Sequence, residues 1–240
     1  VIEHLIDGYL SLGGDRLFGN DNALTGGVGY FRGKKVLLLG IDKGKNTNDR
    51  ILRNFGMARP EGYRKAIRLM ELANRFNLPV LSFIDTAGAY PGKGAEERGQ
   101  AQAIASCVDA CLKLNTPMIS TILGEGGSGG AIALTSGNVI LMFEHSIFSV
   151  ISPEGCASIL WRDASKANEA AKALKLTAKD MKKLNIIDEI IQEPLGGAHR
   201  DYDKSLTLLG DSIELQLNEL LKLDPQELKI IKQNKYLKIT

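Results

Sequence analysis

The chain has 240 residues, 44% of them hydrophobic and 24% charged, which is the composition of a globular protein with a sizeable core. Its formal net charge of +2 argues against nucleic acid or a membrane surface as a partner, and no run of 18 apolar residues predicts a membrane span. Three histidines and three widely spaced cysteines argue against a metal site and a disulfide scaffold, and suit a reducing compartment.

In the first third of the chain, glycine-rich connectors alternate with regular elements. In chain order the predictions are a helix over 1–12, a connector over 13–27, strands over 28–30 and 35–41, a basic surface loop over 43–55 and an amphipathic helix over 60–77.

The middle of the chain repeats a strand, a loop and a helix, and the remainder is mostly helical. The predicted elements are a strand over 79–84, a loop over 85–94, a helix over 95–114, a strand over 117–123, a glycine loop with a short helix over 128–135, strands over 139–143, 147–150 and 187–191, and helices over 154–161, 166–174, 178–184, 202–223 and 225–236. Both proline-led strands run into glycine loops at their carboxyl ends, where open α/β sheets place ligands.

The glycine loop after the second of these strands matches a dinucleotide fingerprint on paper. Gly124, Gly126 and Gly129 have the GxGxxG spacing, and Glu144 lies twenty positions beyond the first glycine. However, Gly129 is followed by only six residues before Ser136-Gly137-Asn138 breaks the helix, which is short for a crossover. The fingerprint alone is a weak indication.

A GTPase is the second alternative, because Asp85-Thr-Ala-Gly88 follows a strand as a DxxG motif does. Such a protein also needs a phosphate loop with the pattern GxxxxGK[ST]. The nearest candidate, Gly40 to Asn46, is one residue short and has asparagine where a hydroxyl should bind magnesium.

A third interpretation is an oxyanion hole formed by Gly124-Glu-Gly-Gly-Ser-Gly-Gly130. Glycines allow a ligand to approach the backbone, and the free N–H groups at the start of the next helix favour a negative charge. Such donors stabilise an enolate or a tetrahedral oxyanion. The alternative is that the glycines only permit tight packing of the strand against the helix.

Several long motifs together resemble one family. They are Asn54-Phe-Gly-Met57, Pro60-Glu-Gly-Tyr-Arg-Lys-Ala66, Phe83-Ile-Asp-Thr86, Gly88-Ala-Tyr-Pro-Gly92, Gly94-Ala-Glu-Glu-Arg-Gly-Gln100, Gly124-Glu-Gly-Gly-Ser-Gly-Gly130, Ser149-Val-Ile-Ser-Pro-Glu-Gly-Cys-Ala-Ser-Ile-Leu-Trp161 and Glu193-Pro-Leu-Gly-Gly-Ala-His-Arg200. From about Gly26 to Arg200 the chain resembles the alpha subunit of bacterial and plastid acetyl-CoA carboxylase carboxyltransferase.

The resemblance implies a crotonase-like (ClpP/crotonase) α/β fold, a superhelix of repeated ββα units. One carboxyltransferase domain would span 1–240, with a core over about 1–200 and a helical extension over about 201–240. The implied reaction moves the carboxyl group of carboxybiotin to acetyl-CoA and gives malonyl-CoA for fatty-acid synthesis. The implied location is the bacterial cytoplasm or the plastid stroma.

The implied partners are a beta subunit in an α2β2 assembly, a biotin carboxyl carrier protein and a biotin carboxylase, the ATP-binding component of the holoenzyme. Zinc is expected on the beta subunit, and no metal on this chain. The family usually has proline where Ala87 stands, and its N-terminal helical region is expected to precede Val1.

The site residues implied by the resemblance lie mostly on two loops. The backbone N–H groups of Gly126 and Gly127 are expected to form an oxyanion hole, most simply on the biotin side. The expected substrate-binding residues are Gly88, Ala89, Tyr90, Pro91, Gly92, Gly124, Ser128, Gly129, Gly130 and Arg53. Glu125 is a candidate base or a hydrogen-bonding residue, Ser152 is expected to cap a helix, and His199 is expected to be structural.

Three other functions remain open at this point. A crotonase-like enzyme acting alone on an acyl-CoA needs a second oxyanion loop and an acid/base pair, and the sequence shows no convincing pair. An NAD-binding oxidoreductase follows from the glycine fingerprint. A scaffold without catalytic activity is the remaining possibility.

Overall fold

The computed structural model describes residues 1–239, and its strands form one eight-stranded sheet. The strands are β1 (Asp7–Ser11), β2 (Leu24–Phe31), β3 (Lys34–Ile41), β4 (Val80–Thr86), β5 (Met118–Gly127), β6 (Val139–Phe143), β7 (Ile147–Ser149) and β8 (Glu189–Ile191).

Eleven helices lie among the described residues, with two 3-10 turns at Asn54–Gly56 and Ala164–Lys166. The helices are α1 (Ile2–Leu5), α2 (Thr47–Leu52), α3 (Pro60–Phe76), α4 (Lys93–Glu97), α5 (Gln100–Lys113), α6 (Ser128–Thr135), α7 (Pro153–Trp161), α8 (Ala167–Leu174), α9 (Ala178–Lys183), α10 (Tyr202–Leu220) and α11 (Pro225–Leu237). None of these helices is long and apolar enough to cross a membrane.

The sheet is antiparallel at one edge and parallel elsewhere. Its order is β1-β2-β3-β4-β5-β6-β8, with β1, β2 and β3 antiparallel and the following neighbours parallel. The short strand β7 pairs in parallel with the far end of β5. The carboxyl ends of β3, β4 and β5 therefore meet at the same edge of the sheet.

Hydrophobic layers cover both faces of the sheet. Successive residues of a strand point to opposite faces, so Leu37 and Leu39 pack with α3, α5 and α6, whereas Leu38 packs with α10. The strands β3 to β6 are apolar over most of their length because they are buried on both sides. The helix α10 thus contributes to the core.

The predicted helix over 1–12 is wrong beyond its first turn. Only Ile2–Leu5 is helical, and Asp7–Ser11 is an edge strand that pairs with β2. The connector predicted over 13–27 also ends early, because β2 begins at Leu24. A Cβ on Gly27 would overlap the backbone of Leu10, so the glycines of this segment allow β1 to pack closely on β2.

Two further predictions need correction. The loop predicted over 43–55 contains α2, whose first turn is capped by the side chain of Asn46, and the 3-10 turn that follows. The single helix predicted over 95–114 is divided into α4 and α5 at Gly99, whose φ of 78° ends the first helix. The helix predicted over 128–135 is confirmed as α6.

Candidate active site

Strand β5 runs directly into α6 at the junction of Gly127 and Ser128. Gly126 pairs with Thr86 of β4 and Phe148 of β7, and Gly127 pairs with Ser149 of β7. Ser128 then adopts a φ of 53° and begins α6. Within the described chain no side chain caps this helix start, and the first backbone N–H groups of a helix have no intrahelical partner. The junction therefore offers N–H donors and a positive helix end.

The loop after β4 packs directly against this junction. A Cβ on Gly127 would overlap the carbonyl group of Ala87, and a Cβ on Gly130 would lie 2.6 Å from the carbonyl carbon of Gly88 and 2.7 Å from the nitrogen of Ala89. Both contacts are shorter than real side chains allow. The packing explanation of the glycines is thus correct for Gly127 and Gly130, and it is compatible with N–H donors on the open side.

Hydrogen bonds hold the loop after β4 in place. The hydroxyl oxygen of Thr86 lies 2.7 Å from the carbonyl oxygen of Gly56 and accepts from the N–H of Gly88 at 3.1 Å. The amide of Gln100 donates to the carbonyl oxygens of Ala58 and Tyr90, each at 2.9 Å. Buried side chains from two other segments therefore fix the backbone of this loop.

A cleft of about 290 Å³ lies over the junction. Its floor is formed by the end of β5 and its walls by β7 and the start of α7. The lining residues are Ala87, Glu125, Gly126, Gly127, Ser128, Ile147, Ser149, Ile151, Ser152, Pro153, Glu154 and Leu176.

The structure brings together some of the residues expected from the sequence and separates others. Gly126, Gly127 and Ser128 line the cleft, whereas Gly88, Ala89 and Gly130 pack where the two loops meet. Gly129 lies next in α6 and Gly124 lies beside Asp85.

The aromatic ring of Tyr90 lies apart from the cleft lining. The guanidinium of Arg59 is 4.5 Å from the centre of this ring, and Gly92 leaves room for the ring beside Pro91. Arg53 is held by Asp49 at 2.7 Å and Asp42 at 3.1 Å, and donates to the carbonyl oxygen of Asn22. The structure thus places Arg53 in an ion-pair group after β3.

The sequence did not predict that β7 and the start of α7 form a wall of the cleft. Ser152 accepts from the N–H of Gly155 at 3.1 Å with Pro153 at the first helical position, so the expected cap is confirmed. Ser149 and Glu154 also line the cleft. The motif from Ser149 to Trp161 was the signal that could have identified this wall, because it is long and contains both residues.

A charged group at the carboxyl ends of β3, β4 and β5 was missed entirely. The ammonium nitrogen of Lys43 lies 2.8 Å from Asp85 Oδ1 and 2.9 Å from Glu125 Oε2. Burial alone would lower the pKa of Lys43, but the hydrogen bonds and charges of Asp85 and Glu125 outweigh it and raise the pKa above its ordinary value. Lys43 therefore remains an ammonium between two carboxylates.

The two nucleotide-binding alternatives do not fit this geometry. Gly124 and Gly126 belong to β5 and do not form a turn before a crossover helix. The candidate phosphate loop begins inside β3, and the lysine of its pattern, Lys45, forms an exposed ion pair with Glu3. Over residues 1–239, no group of three or more histidine, cysteine, aspartate or glutamate side chains is placed to hold a metal ion.

Comparison with protein families places the chain among carboxyltransferases. The family model described as acetyl co-enzyme A carboxylase carboxyltransferase-like matches residues 1–240. The acetyl-coenzyme A carboxylase carboxyl transferase subunit alpha of Caulobacter vibrioides is 57% identical over 225 residues, which are 94% of this chain and 70% of the relative. The corresponding protein of Rhodospirillum centenum is 53% identical over 99% of this chain and 75% of its own length.

Solved structures show the same fold at low identity. The transcarboxylase 12S core superposes with a TM-score of 0.72 at 18% identity, over 90% of this chain and 41% of that chain. A Pseudomonas malonate decarboxylase MdcD-MdcE hetero-dimer gives 0.71 at 16% identity, over 85% and 83%. These likenesses confirm the predicted crotonase-like α/β fold.

Proposed function

The chain belongs to the acetyl co-enzyme A carboxylase carboxyltransferase-like family, and from that premise we propose how its cleft works. It is a carboxyltransferase of the biotin-dependent acetyl-CoA carboxylase type. The proposed reaction transfers the carboxyl group of carboxybiotin to acetyl-CoA and forms malonyl-CoA for fatty-acid synthesis. The observation that carries the proposal is the floor of the cleft, where Gly126, Gly127 and Ser128 lead into the uncapped start of α6.

The proposed catalytic contribution of this chain is electrostatic. Carboxybiotin would supply the carboxyl group, and acetyl-CoA would lose a proton from its methyl group, which the biotin nitrogen that released the carboxyl group can take up. Negative charge therefore develops on an oxygen atom. The N–H groups of Gly126 and Gly127, with those of Ser128 and Gly129 at the helix start, are proposed to donate to it. One such donor lowers the activation barrier by about 3 kcal/mol.

The shape of the cleft supports this assignment. Of the three residues of the floor, only Ser128 has a side chain, and it is short. A planar ring or a thioester can therefore approach the backbone. The carbonyl group of Ala87 fixes the position of Gly127 from the opposite side. The proposed donors are thus held in place before a ligand binds, which electrostatic catalysis requires.

The remaining substrate contacts are proposed on the same edge of the sheet. The loop containing Gly88, Ala89, Tyr90, Pro91 and Gly92, together with Gly124 and Gly130, would border the bound acyl group. Arg53 would act at a distance through its charge, because two aspartates already hold its guanidinium.

The partners follow from the proposed reaction. We propose that a beta subunit with bound zinc completes the site in an α2β2 assembly, and that a biotin carboxyl carrier protein and a biotin carboxylase deliver the carboxyl group. Ile159 and Leu160 on α7 are 71% and 64% exposed, and α7 begins at the cleft wall. This apolar surface suits a subunit that covers the cleft. The named relatives are bacterial, which favours the bacterial cytoplasm.

A coupled turnover assay tests the proposal. The chain is mixed with a beta-type zinc-ribbon subunit, malonyl-CoA and a free biotin derivative, and acetyl-CoA formation is measured. Activity only in the mixture is expected. Activity of the chain alone would favour a self-contained crotonase-like enzyme, and an inactive but stable complex would contradict the proposal.

A further inference from the structure

We propose that Lys43 is a positioning residue, whose ammonium group clamps Asp85 and Glu125 and thereby holds the end of β5 that carries the cleft floor. The effect on turnover rests on the proposed function. The effect on the order of β5 rests on the structure alone.

Three neighbouring strands each provide one member of the clamp. Lys43 follows β3, Asp85 lies near the end of β4, and Glu125 lies in β5. Asp85 Oδ1 is shared, because it lies 2.8 Å from Lys43 Nζ and accepts the backbone N–H of Glu125 at 2.9 Å. Glu125 Oε2 accepts from Lys43 Nζ at 2.9 Å. The ammonium thus ties a residue of β5 to its neighbouring strand through both its side chain and its main chain.

The clamp lies where the ladder between β4 and β5 is interrupted. Ile84 pairs with Ile122, but the next pair joins Thr86 to Gly126, so Asp85 alone opposes three residues of β5. Such bulges bend a strand and leave backbone groups without ladder partners. Here the carboxylate of Asp85 replaces a backbone acceptor for Glu125. Beyond the bulge, β5 continues as Gly126 and Gly127 and pairs with β7.

Two glycines make room for the clamp. A Cβ on Gly124 would lie 3.0 Å from Asp85 Oδ1, and a Cβ on Gly56 would lie 2.6 Å from Lys43 Cγ. Larger residues at either position would displace a member of the clamp. Gly56 and Gly124 therefore both leave space for the ion-pair group of Lys43, Asp85 and Glu125.

Loss of the ammonium leaves two carboxylates on adjacent strands without a counter-charge. Like charges at this separation repel, and the side chains of Lys43, Asp85 and Glu125 are only 31–40% exposed, so water screens them incompletely. The expected consequence is a looser bulge and a displaced cleft floor. Substrate affinity depends on the whole cleft, whereas turnover depends on the placement of the donors, so the main effect is expected on kcat.

The first test compares Lys43→Met with Lys45→Met in the complex with the beta-type subunit. Lys45 lies two residues away, and its side chain makes only an exposed ion pair with Glu3 at 3.3 Å, so it is a matched control. We expect K43M to lower kcat at least tenfold with KM for malonyl-CoA within threefold, and K45M to change neither. A kcat for K43M within twofold of the parent, in a parent complex that is active, would overturn the effect on turnover. An inactive parent complex would instead count against the proposed function.

The second test uses hydrogen–deuterium exchange of the isolated chain and does not depend on activity. In K43M the amides of residues 123–128 are expected to exchange at least tenfold faster, with those of α10 unchanged. Asp85→Asn, which keeps the shape of the side chain but removes its charge, is expected to accelerate the same peptide. Unchanged exchange at 123–128 in both variants would overturn the positioning role.

Discussion

The carbonyl group of Ala87 occupies the space into which a side chain on Gly127 would project. Gly127 therefore joins two functions in one residue, since its lack of a side chain allows the two loops to pack and leaves its backbone accessible from the cleft. A substitution at this position changes both at once.

Gly127→Ala is expected to reduce stability and turnover together. The added methyl group must displace the backbone of Ala87, and overpacking of this kind typically costs about 1–3 kcal/mol. Thermal unfolding and the coupled assay measure the two effects. Gly19→Ala is the matched control, because no described atom lies within 4 Å of its added methyl group. A G127A variant with parental melting temperature and turnover would contradict the packing described for the two loops.

Gly129 and Gly130 are adjacent in α6 but are expected to respond oppositely to alanine. The Cβ of G129A meets the side chain of Ile104 at an ordinary 3.4 Å, and alanine in place of glycine favours a helix by up to about 1 kcal/mol. The Cβ of G130A meets the backbone of Gly88 and Ala89. Melting temperatures should therefore be kept or raised in G129A and lowered in G130A. Equal loss in both would show that the loop after β4 does not restrict α6.

The buried amine of Lys232 is expected to make stability rise with pH. Lys232 is fully buried, and burial lowers its pKa from 10.5 to about 8. Between pH 8 and 10.5 the unfolded chain therefore binds more protons than the folded chain, so the free energy of unfolding increases with pH in this window. Below pH 8 both states are protonated and the contribution is constant.

Comparison with Lys232→Met isolates this contribution. From pH 8 to 9.5 the parent should gain about 2 kcal/mol relative to K232M, measured by urea unfolding at each pH. Lys65, whose pKa burial also lowers to about 8, is present in both proteins and cancels. A pH-independent difference between the two proteins would contradict this prediction.

Asp15 is expected to contribute stability that acid removes. Burial alone would raise its pKa, but the N–H groups of Leu17, Phe18 and Gly19 and the guanidinium of Arg64 outweigh it and hold the pKa below its usual range. The contribution is therefore complete above pH 4 and is lost as the pH falls further.

The variant Asp15→Asn should be less stable than the parent by about 2 kcal/mol at pH 7. Urea unfolding from pH 5 to 2 should show this difference shrinking. Asp109→Asn, which changes an exposed partner of Lys113, is the control and should remain close to the parent throughout. A D15N defect that is equally large at pH 2 would contradict the electrostatic explanation.

The exposed end of α7 provides a test of subunit contact. The double variant Ile159→Lys/Leu160→Lys should keep the melting temperature, because both side chains are largely exposed and cations suit a helix C-terminus. Binding to the beta-type subunit, measured by size-exclusion chromatography or calorimetry, should weaken at least a hundredfold. Leu195→Lys, at a fully exposed side chain on the turn after β8, should bind normally. Normal binding of the double variant would exclude α7 from the interface.

The sequence predicted the helices and strands whose spacing of apolar residues matches the faces that are buried in the fold. The helix α3 and the strands β4 and β6 have apolar residues at the spacing that their burial requires, and each was predicted close to its observed limits. The strand predicted over 117–123 extends as β5 to Gly127, because Gly126 and Gly127 pair with neighbouring strands and do not form a loop. The segment 1–12 was predicted wrongly because its helical spacing conflicts with long-range pairing. Asp7–Ser11 gains hydrogen bonds from β2, which local patterns do not reveal.

The same reason explains what was missed at the candidate site. Gly126, Gly127 and Ser128 could be found because glycines between a strand and a helix form a local pattern. The clamp of Lys43 joins residues 82 positions apart in sequence, and Lys43 looked like one more charge in a basic loop. Ser149 and Glu154 line the cleft, but in the sequence they appear only as members of a long motif. Contacts between distant side chains require the sheet order, which the sequence pattern alone does not fix.

The buried amine of Lys232 also joins α11 to the end of α5, a helix far earlier in the chain. It donates to the carbonyl oxygens of Cys111 at 2.7 Å and Leu114 at 3.1 Å, at the end of α5. In a nascent chain these two carbonyl oxygens lack the Lys232 donor until synthesis has proceeded 118 residues beyond Leu114. A chain that ends before residue 232 lacks this donor for the carbonyl oxygens of Cys111 and Leu114. Helix α11 thus completes the hydrogen bonding at the end of α5, and truncation before residue 232 would remove it.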